Sequence, residues 1–168
     1  MPRISILNAV NYDAGVFDDL VSNQITAAAA PSIGNQICTV ISDAGTSRGI
    51  YGRFTVPQDY TGSPVLRVIG ILDGAPGAND VLAFAFRKRS VADNDPADGT
   101  FDAANTGSLT IGSSGGNYAD EDLVVLTITL TAGDYAAGNE VFYWLYINAT
   151  PNTYAGNLLL CDVEFQYA

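Results

Sequence analysis

The chain has 168 residues, 48% of them hydrophobic and only 15% charged, a composition that is typical of one core-rich globular domain and excludes a disordered chain. Its net charge is −11, and residues 90–168 hold eleven acidic and no basic side chains, which argues against nucleic-acid binding by that half. Histidine is absent, which excludes His-dependent catalytic triads and most catalytic zinc sites.

No segment of the sequence predicts contact with a membrane. The longest apolar run, residues 141–147, is far shorter than the roughly 20 residues that a membrane-spanning helix needs. Residues 1–15 lack the apolar core of a secretion signal. We therefore expect a soluble protein that is made in a cytoplasm and not cleaved.

In chain order, residues 1–35 are predicted to form an extended N-terminal arm and connector, with an alanine-rich, extended or loosely helical part at 24–36. Residues 36–168 follow as a single domain rich in period-two alternation and turn signals. Strands are predicted near 3–10, 37–42, 49–56, 64–72, 80–89, 108–112, 123–131, 140–148 and 158–167. About eight or nine strands of this kind predict an all-β, antiparallel sandwich of the jelly-roll type.

The alternation also predicts which side chains face the core. In 123–131, Val124, Leu126 and Ile128 face inward and threonines face outward. In 158–167 the same rule places Cys161 inward, and Cys38 lies in a similar apolar run. The two cysteines are interpreted as buried thiols, with one disulfide bridge as the alternative.

Three strands are apolar on both faces, which a solvated sandwich does not require. In 140–148, one face carries Phe142, Trp144 and Tyr146, and the other face is apolar as well. The run 64–72 places Val65, Ile69 and Ile71 opposite a second apolar set, and 80–89 is a milder case. The second face must be covered by a loop of the same chain, a neighbouring subunit or a docking surface, and these six residues are predicted to form a subunit or capsid interface.

The acidic segment Asp93–Asp102 has the composition of a calcium-binding loop. Asp93 and Asp95 fit the EF-hand spacing, but residue 97 is alanine and Gly99 comes one position late. Turn chemistry explains the segment without an ion, so we predict a turn and no bound metal or cofactor, with Ca²⁺ in an irregular cage as the open alternative.

Two further readings concern carbohydrate. Asp162 and Glu164 share a strand face about 7 Å apart, a spacing compatible with an inverting glycosidase, but on a face predicted to be solvated. The aromatic stripe of 140–148 could instead be a platform for sugar rings. Neither pattern includes a recognisable catalytic motif, so we expect a protein that is not an enzyme.

Several phrases, GRFTVPQDYTGSPVLRVIGIL, NDPADGTFDAAN, TITLTAGDYAAGNEVFYWLYI and AGNLLLCDVEFQYA, together resemble the small jelly-roll decoration (cement) proteins of tailed-bacteriophage capsids. The resemblance covers roughly residues 49–168. It implies a homotrimer on the outer surface of the virion head that binds the major capsid protein and ties capsomers together, with the N-terminal arm against the shell. Similar jelly rolls occur at phage tail and fibre tips, and a carbohydrate- or receptor-binding module of that kind is the alternative.

Overall fold

The computed structural model describes residues 1–7, 11–12, 32–33, 36–37, 39–42 and 49–168. The strands of this part are β1 (Arg3–Ser5), β2 (Asn11–Tyr12), β3 (Ser32–Ile33), β4 (Gln36–Ile37), β5 (Thr39–Ser42), β6 (Gly49–Thr55), β7 (Val65–Asp73), β8 (Val81–Val91), β9 (Asn105–Thr110), β10 (Leu123–Thr129), β11 (Glu140–Ile147) and β12 (Asn157–Gln166). A short 3-10 turn, Ala132–Asp134, lies between β10 and β11. Most of the predicted arm and connector lies outside the described residues.

The strands form two antiparallel sheets that pack face to face. The first sheet has the order β1–β12–β7–β10, and β5 pairs with the same edge of β12 farther along that strand. The second sheet has the order β2–β6–β11–β8–β9. The long strands from β5 to β12 therefore alternate between the sheets except where β9 follows β8, and this strand order is that of a jelly roll. The predicted all-β jelly-roll sandwich is confirmed.

The core lies between the sheets, where the alternating pattern places it. Val124, Leu126 and Ile128 of β10 are at most 1% exposed, as predicted, and the threonines of that strand face solvent. Burial of side chains of this size contributes about 1.5–3 kcal/mol each to folding. From the second sheet, β8 contributes Phe84 and Phe86, both fully buried. The core thus covers one apolar face of each of the three doubly apolar strands, β7, β8 and β11.

Strand β12 departs from the predicted alternation at Cys161. A bulge between Leu160 and Asp162 shifts its register against β7. Because a bulge inserts an extra residue into the strand, Cys161 leaves the inward-facing row and is half-buried, with its thiol 3.4 Å from the carbonyl oxygen of Leu159. The expectation of a buried Cys161 is therefore wrong, while Cys38 lies outside the described residues.

The first residues of the predicted arm belong to the sandwich. Strand β1 pairs with the C-terminal half of β12, and the Ile6 side chain that follows it is 0% exposed. The amide of Ile6 donates to the carbonyl of Val163 at 2.8 Å, and the hydroxyl of Tyr143 donates to the carbonyl of Ile6 at 2.8 Å. The beginning of the chain thus connects the edge of one sheet to the central strand of the other.

A buried lysine on β8, Lys88, lies at the centre of an ion-pair cluster. Lys88 is 2% exposed, and its ammonium group contacts the carboxylates of Asp102 and, at 3.2 Å, Asp134. The ammonium also lies 5.6 Å from the centre of the Tyr135 ring. Burial, followed by the negative charge of Asp134, raises the pKa of Tyr135. This cluster joins the loop after β8 to the turn before β11.

In the described part of the chain, no helix has the length and apolarity needed to cross a membrane.

Candidate functional site

The outer face of β6, β11 and β8 carries the aromatic stripe that the sequence singles out. On β11, Val141, Tyr143 and Leu145 point into the core, so the intervening side chains of that strand, Phe142 and Trp144 among them, point outward and are half-buried. We call this surface the aromatic face and define it by eight of the outward residues of the three strands: Tyr51, Arg53, Arg87, Arg89, Glu140, Phe142, Trp144 and Tyr146.

The rings in the middle of this face stack on one another. Trp144 and Tyr146 have ring centres 4.1 Å apart, and Tyr51 stacks on Trp144 at 5.6 Å. Phe101, from the loop after β8, extends the stack of rings, since its ring centre lies 6.1 Å from that of Tyr51. Tyr51 and Trp144 each have other rings stacked on them. Their ring faces therefore pack against one another and are not laid side by side for a ligand to stack on.

Phe142 differs from the other rings of the face, because within the described residues it stacks on none of them. Its side chain lines an open cleft of about 380 Å³. The start of the acidic loop, including Asp93, Asn94 and Asp95, also lines the cleft, as does Glu140. The volume is at the lower end of the range for ligand sites, roughly 300–1,000 Å³. An aromatic ring facing carboxylate and amide groups can stack on an apolar ring surface and accept hydrogen bonds from hydroxyl groups.

The cleft wall is held in place by Arg89. Its guanidinium donates to the carbonyl of Pro96 at 2.8 Å, across the loop that follows β8. Gly99 packs on the same group so closely that an added Cβ would lie 1.7 Å from Nη1, and its φ of +143° favours glycine. The backbone of the loop is further fixed by Asp102, whose amide donates to the carbonyl of Lys88 at 2.8 Å.

Arginines lie on both sides of the outward aromatic residues of β11. Strand register places Arg53 and Arg89 on either side of Phe142, and Arg87 beside Trp144. Arg53 and Arg87 are exposed, and neither forms an ion pair within the described residues. Two donors of the face, Arg89 Nε and Trp144 Nε1, are shielded from solvent and have no acceptor in the described part of the chain. This region therefore offers more donors than acceptors.

The acidic loop does not assemble a metal site in the described ranges. No three acidic or cysteine side chains converge there closely enough to hold an ion. Asp102 is engaged by Lys88, and the amide of Asp95 bonds to the carbonyl of Ala92 at 3.2 Å in a turn. These contacts agree with the interpretation of the segment as turn chemistry.

The six residues predicted to form an interface lie on opposite sides of the sandwich. Phe142, Trp144 and Tyr146 belong to the aromatic face, as described above. Val65, Ile69 and Ile71 point outward from the other sheet, beside the outward row of β10. Ile71 is only 7% exposed, because Leu123 and Leu159 flank it in register, whereas Leu123 itself is 59% exposed.

This placement restricts how copies of the chain could assemble. Two patches that point in opposite directions would stack subunits along a line if they paired with each other, and a line does not close into a ring. A closed trimer would therefore use one of the two faces, or the edges of the sheets, and not both predicted sets together.

The carboxylates considered for glycoside hydrolysis are both engaged in the first sheet. Glu164 forms ion pairs with Arg67 and, at 3.5 Å, with Arg3. Asp162 accepts hydrogen bonds from the hydroxyl of Ser5 at 2.5 Å and from the amide of Val163 at 2.8 Å. Both carboxylates therefore accept hydrogen bonds from partners within the first sheet.

Sequence reasoning did not single out Tyr51, Phe101, Arg53 or Arg87 as members of the site. The alternation of residues 49–56 does place Tyr51 and Arg53 on the face away from the core, and that signal could have found them. Phe101 could not be found in this way, since its position depends on the path of the loop after β8.

The fold and this face define a jelly-roll β-sandwich with an open aromatic and arginine-lined surface. No protein-family model matches the chain, and no curated protein matches its sequence. Among solved structures, a xylan-binding module, CBM15, is similar over 99% of this chain and 97% of its own length, with 13% sequence identity and a TM-score of 0.48. The strand order itself shows the jelly-roll fold.

Proposed function

We propose that the chain is a non-catalytic binding module that takes carbohydrate on the aromatic face. The observation that supports the proposal is the cleft at Phe142. Sugar rings present apolar C–H surfaces and hydroxyl groups, so a binding site for them combines an aromatic ring with planar acceptors. The cleft offers Phe142 for stacking and the carboxylates of Asp93, Asp95 and Glu140 as acceptors from hydroxyl groups.

The neighbouring stack of rings supports the same proposal, because it fixes the positions of the side chains around the cleft. Trp144 is held between two rings, and Arg89 fixes the loop that forms the cleft wall. A preorganised site loses less conformational entropy on binding than a mobile one, which is how weak individual contacts with a sugar gain affinity. Nothing in this mechanism requires a catalytic group, a metal or a cofactor.

The test is the binding of the intact chain to a panel of immobilised neutral and acidic polysaccharides. We expect Phe142→Ala to weaken binding about tenfold, since the variant loses the buried apolar area of the ring and a stacking contact of about 0.5–1.5 kcal/mol. Tyr118→Ala is the matched control, because Tyr118 is also a half-buried aromatic residue but lies in the loop between β9 and β10, away from β11. A chain that binds no polysaccharide of the panel would exclude the proposal.

A second candidate is the virion decoration protein that the sequence resembles. The outer face of the first sheet favours it, because Leu123 is 59% exposed beside the outward-facing Ile69 and Val125, an apolar patch suited to contact with another subunit or with a shell. In this candidate the chain would be a homotrimer on the outer surface of a phage head and would bind the major capsid protein.

The second candidate is tested separately from glycan binding. Sedimentation of dilute protein should give a trimer, and Leu123→Asp should shift the chain toward monomer if the patch is the interface. The matched control is Thr127→Asp, an outward residue two positions beyond Val125 on the same strand. A chain that is monomeric at all concentrations and does not bind bare phage heads would rule out this candidate.

A further inference from the structure

We infer that the glycan bound by the aromatic face is anionic, with carboxylate or sulfate groups that contact Arg53 and Arg87. The inference rests on the proposed function and specifies its ligand class. It starts from the distribution of charge: the chain carries seven basic residues against 18 acidic ones, yet three of the basic residues, Arg53, Arg87 and Arg89, lie on this one face.

The other basic residues that the structure describes already form ion pairs with carboxylates of the chain. Arg3 and Arg67 both pair with Glu164 on the opposite side of the sandwich. Lys88 is buried between Asp102 and Asp134. By contrast, Arg53 and Arg87 are exposed, and within the described residues no carboxylate neutralises either of them. Within the described residues, the positive charge that remains available for a ligand is thus concentrated beside Phe142 and Trp144.

The hydrogen-bond inventory of the face points in the same direction. A guanidinium group only donates, and it matches carboxylate and sulfate oxygens better than sugar hydroxyls. The shielded donors Arg89 Nε and Trp144 Nε1 also lack acceptors within the described residues. A ligand rich in acceptors would satisfy the exposed guanidinium donors of Arg53 and Arg87.

The spacing suits an extended ligand. Arg53 and Arg89 are two strands apart in register, about 10 Å at the backbone, and Arg87 lies about 7 Å along β8 from Arg89. The acidic cleft begins at the end of the face that carries Glu140, beyond this cluster. An acidic polysaccharide can therefore place hydroxyl groups in the cleft and its anionic groups along the arginines.

The experiment compares polygalacturonate with its methyl ester, two polymers that share a backbone and differ in charge. We expect the intact chain to bind polygalacturonate at least tenfold more tightly than the ester, and the difference to shrink as salt screens the charges. Arg53→Gln and Arg87→Gln should each weaken polygalacturonate binding about five- to tenfold. Arg3→Gln is the matched control, because it changes the net charge equally on the opposite side of the sandwich, and it should leave binding within about twofold.

The outcomes separate the inference from the proposed function. Equal affinity for polygalacturonate and its ester would overturn the inference and leave carbohydrate binding intact, and so would a loss of binding in Arg3→Gln as large as in Arg53→Gln. Binding of neither polymer, nor of any other polysaccharide in the panel, would overturn both. If the Arg53 and Arg87 variants changed the oligomeric state in sedimentation and not polygalacturonate binding, the face would be a contact between copies and the inference would be wrong.

Discussion

Replacing Tyr143 by phenylalanine should destabilise the sandwich without changing its aromatic face. Tyr143 is 1% exposed, and its hydroxyl donates to the carbonyl of Ile6 across the gap between the sheets. Its ring packs against Phe86 and Phe54 in the core. Phenylalanine keeps these ring contacts and removes only the hydroxyl, so the substitution isolates the hydrogen bond.

The size of the effect follows from the acceptor that is left behind. A buried carbonyl that loses its only side-chain donor costs about 1–3 kcal/mol, and we take about 2 kcal/mol for Ile6. For a domain of this length, 1 kcal/mol corresponds to about 2–4 °C in Tm, so the melting temperature should fall by roughly 6 °C. Urea denaturation should show the same loss with an unchanged m-value, because the surface exposed on unfolding stays the same.

Tyr146→Phe is the matched control for this measurement. Tyr146 lies on the same strand but points outward, and it is half-buried. Removing its hydroxyl should shift Tm by no more than about 2 °C. If Tyr143→Phe were as stable as the wild type, or if the control lost as much stability, the assignment of Tyr143 as the link between β1 and the second sheet would be incorrect.

Three further predictions concern the loops and the tyrosines. Gly99→Ala should lower the unfolding free energy by about 1–3 kcal/mol in urea titrations, because of its positive φ and the contact with Arg89, and a neutral result would contradict the described loop path. Lys88→Met should change that free energy by less than about 1 kcal/mol, since its carboxylate partners are 54% and 37% exposed and can regain water, and a clearly larger loss would refute this. The free energy of unfolding should fall as pH rises above 10.0, because burial raises the pKa of Tyr154 to about 12 while the tyrosine of the unfolded chain ionises near 10.0. Thermal unfolding followed by circular dichroism at pH 8, 10 and 11 measures this, and a Tm that does not change with pH would contradict it.

The outline of the fold could be predicted from the sequence because alternation encodes it directly. Each of the nine predicted strands corresponds to a strand of the structure, and the inward residues of β10 are the predicted ones. The bulge at Cys161 could not be predicted, since an inserted residue changes the register without changing the apolar pattern. Ile71 illustrates a related limit of patterns: the pattern assigns it to the outside correctly, but its burial depends on which strands lie beside it.

The candidate site could be predicted only in part. The sequence predicts that Phe142, Trp144 and Tyr146 share one face, because alternate side chains of a strand point to the same side of the sheet. Its surroundings depend on non-local pairing, which brings β6 and β8 to either side of β11 and places Tyr51 and the arginines there. The cleft requires in addition the path of the acidic loop, which the contact between Arg89 and Pro96 fixes and which no sequence period encodes.

The most direct test of the central claim is a ¹H–¹⁵N NMR titration of the intact chain with a galacturonate oligosaccharide. The chain contains a single tryptophan, so the indole N–H signal belongs to Trp144 alone and reports on the aromatic face without assignment of the backbone. We expect that signal to shift in a saturable manner, together with the amides of β11 around Phe142. A saturable titration that leaves the indole signal unchanged and moves the amides of β7 and β10 would contradict the account, as would the absence of any shift.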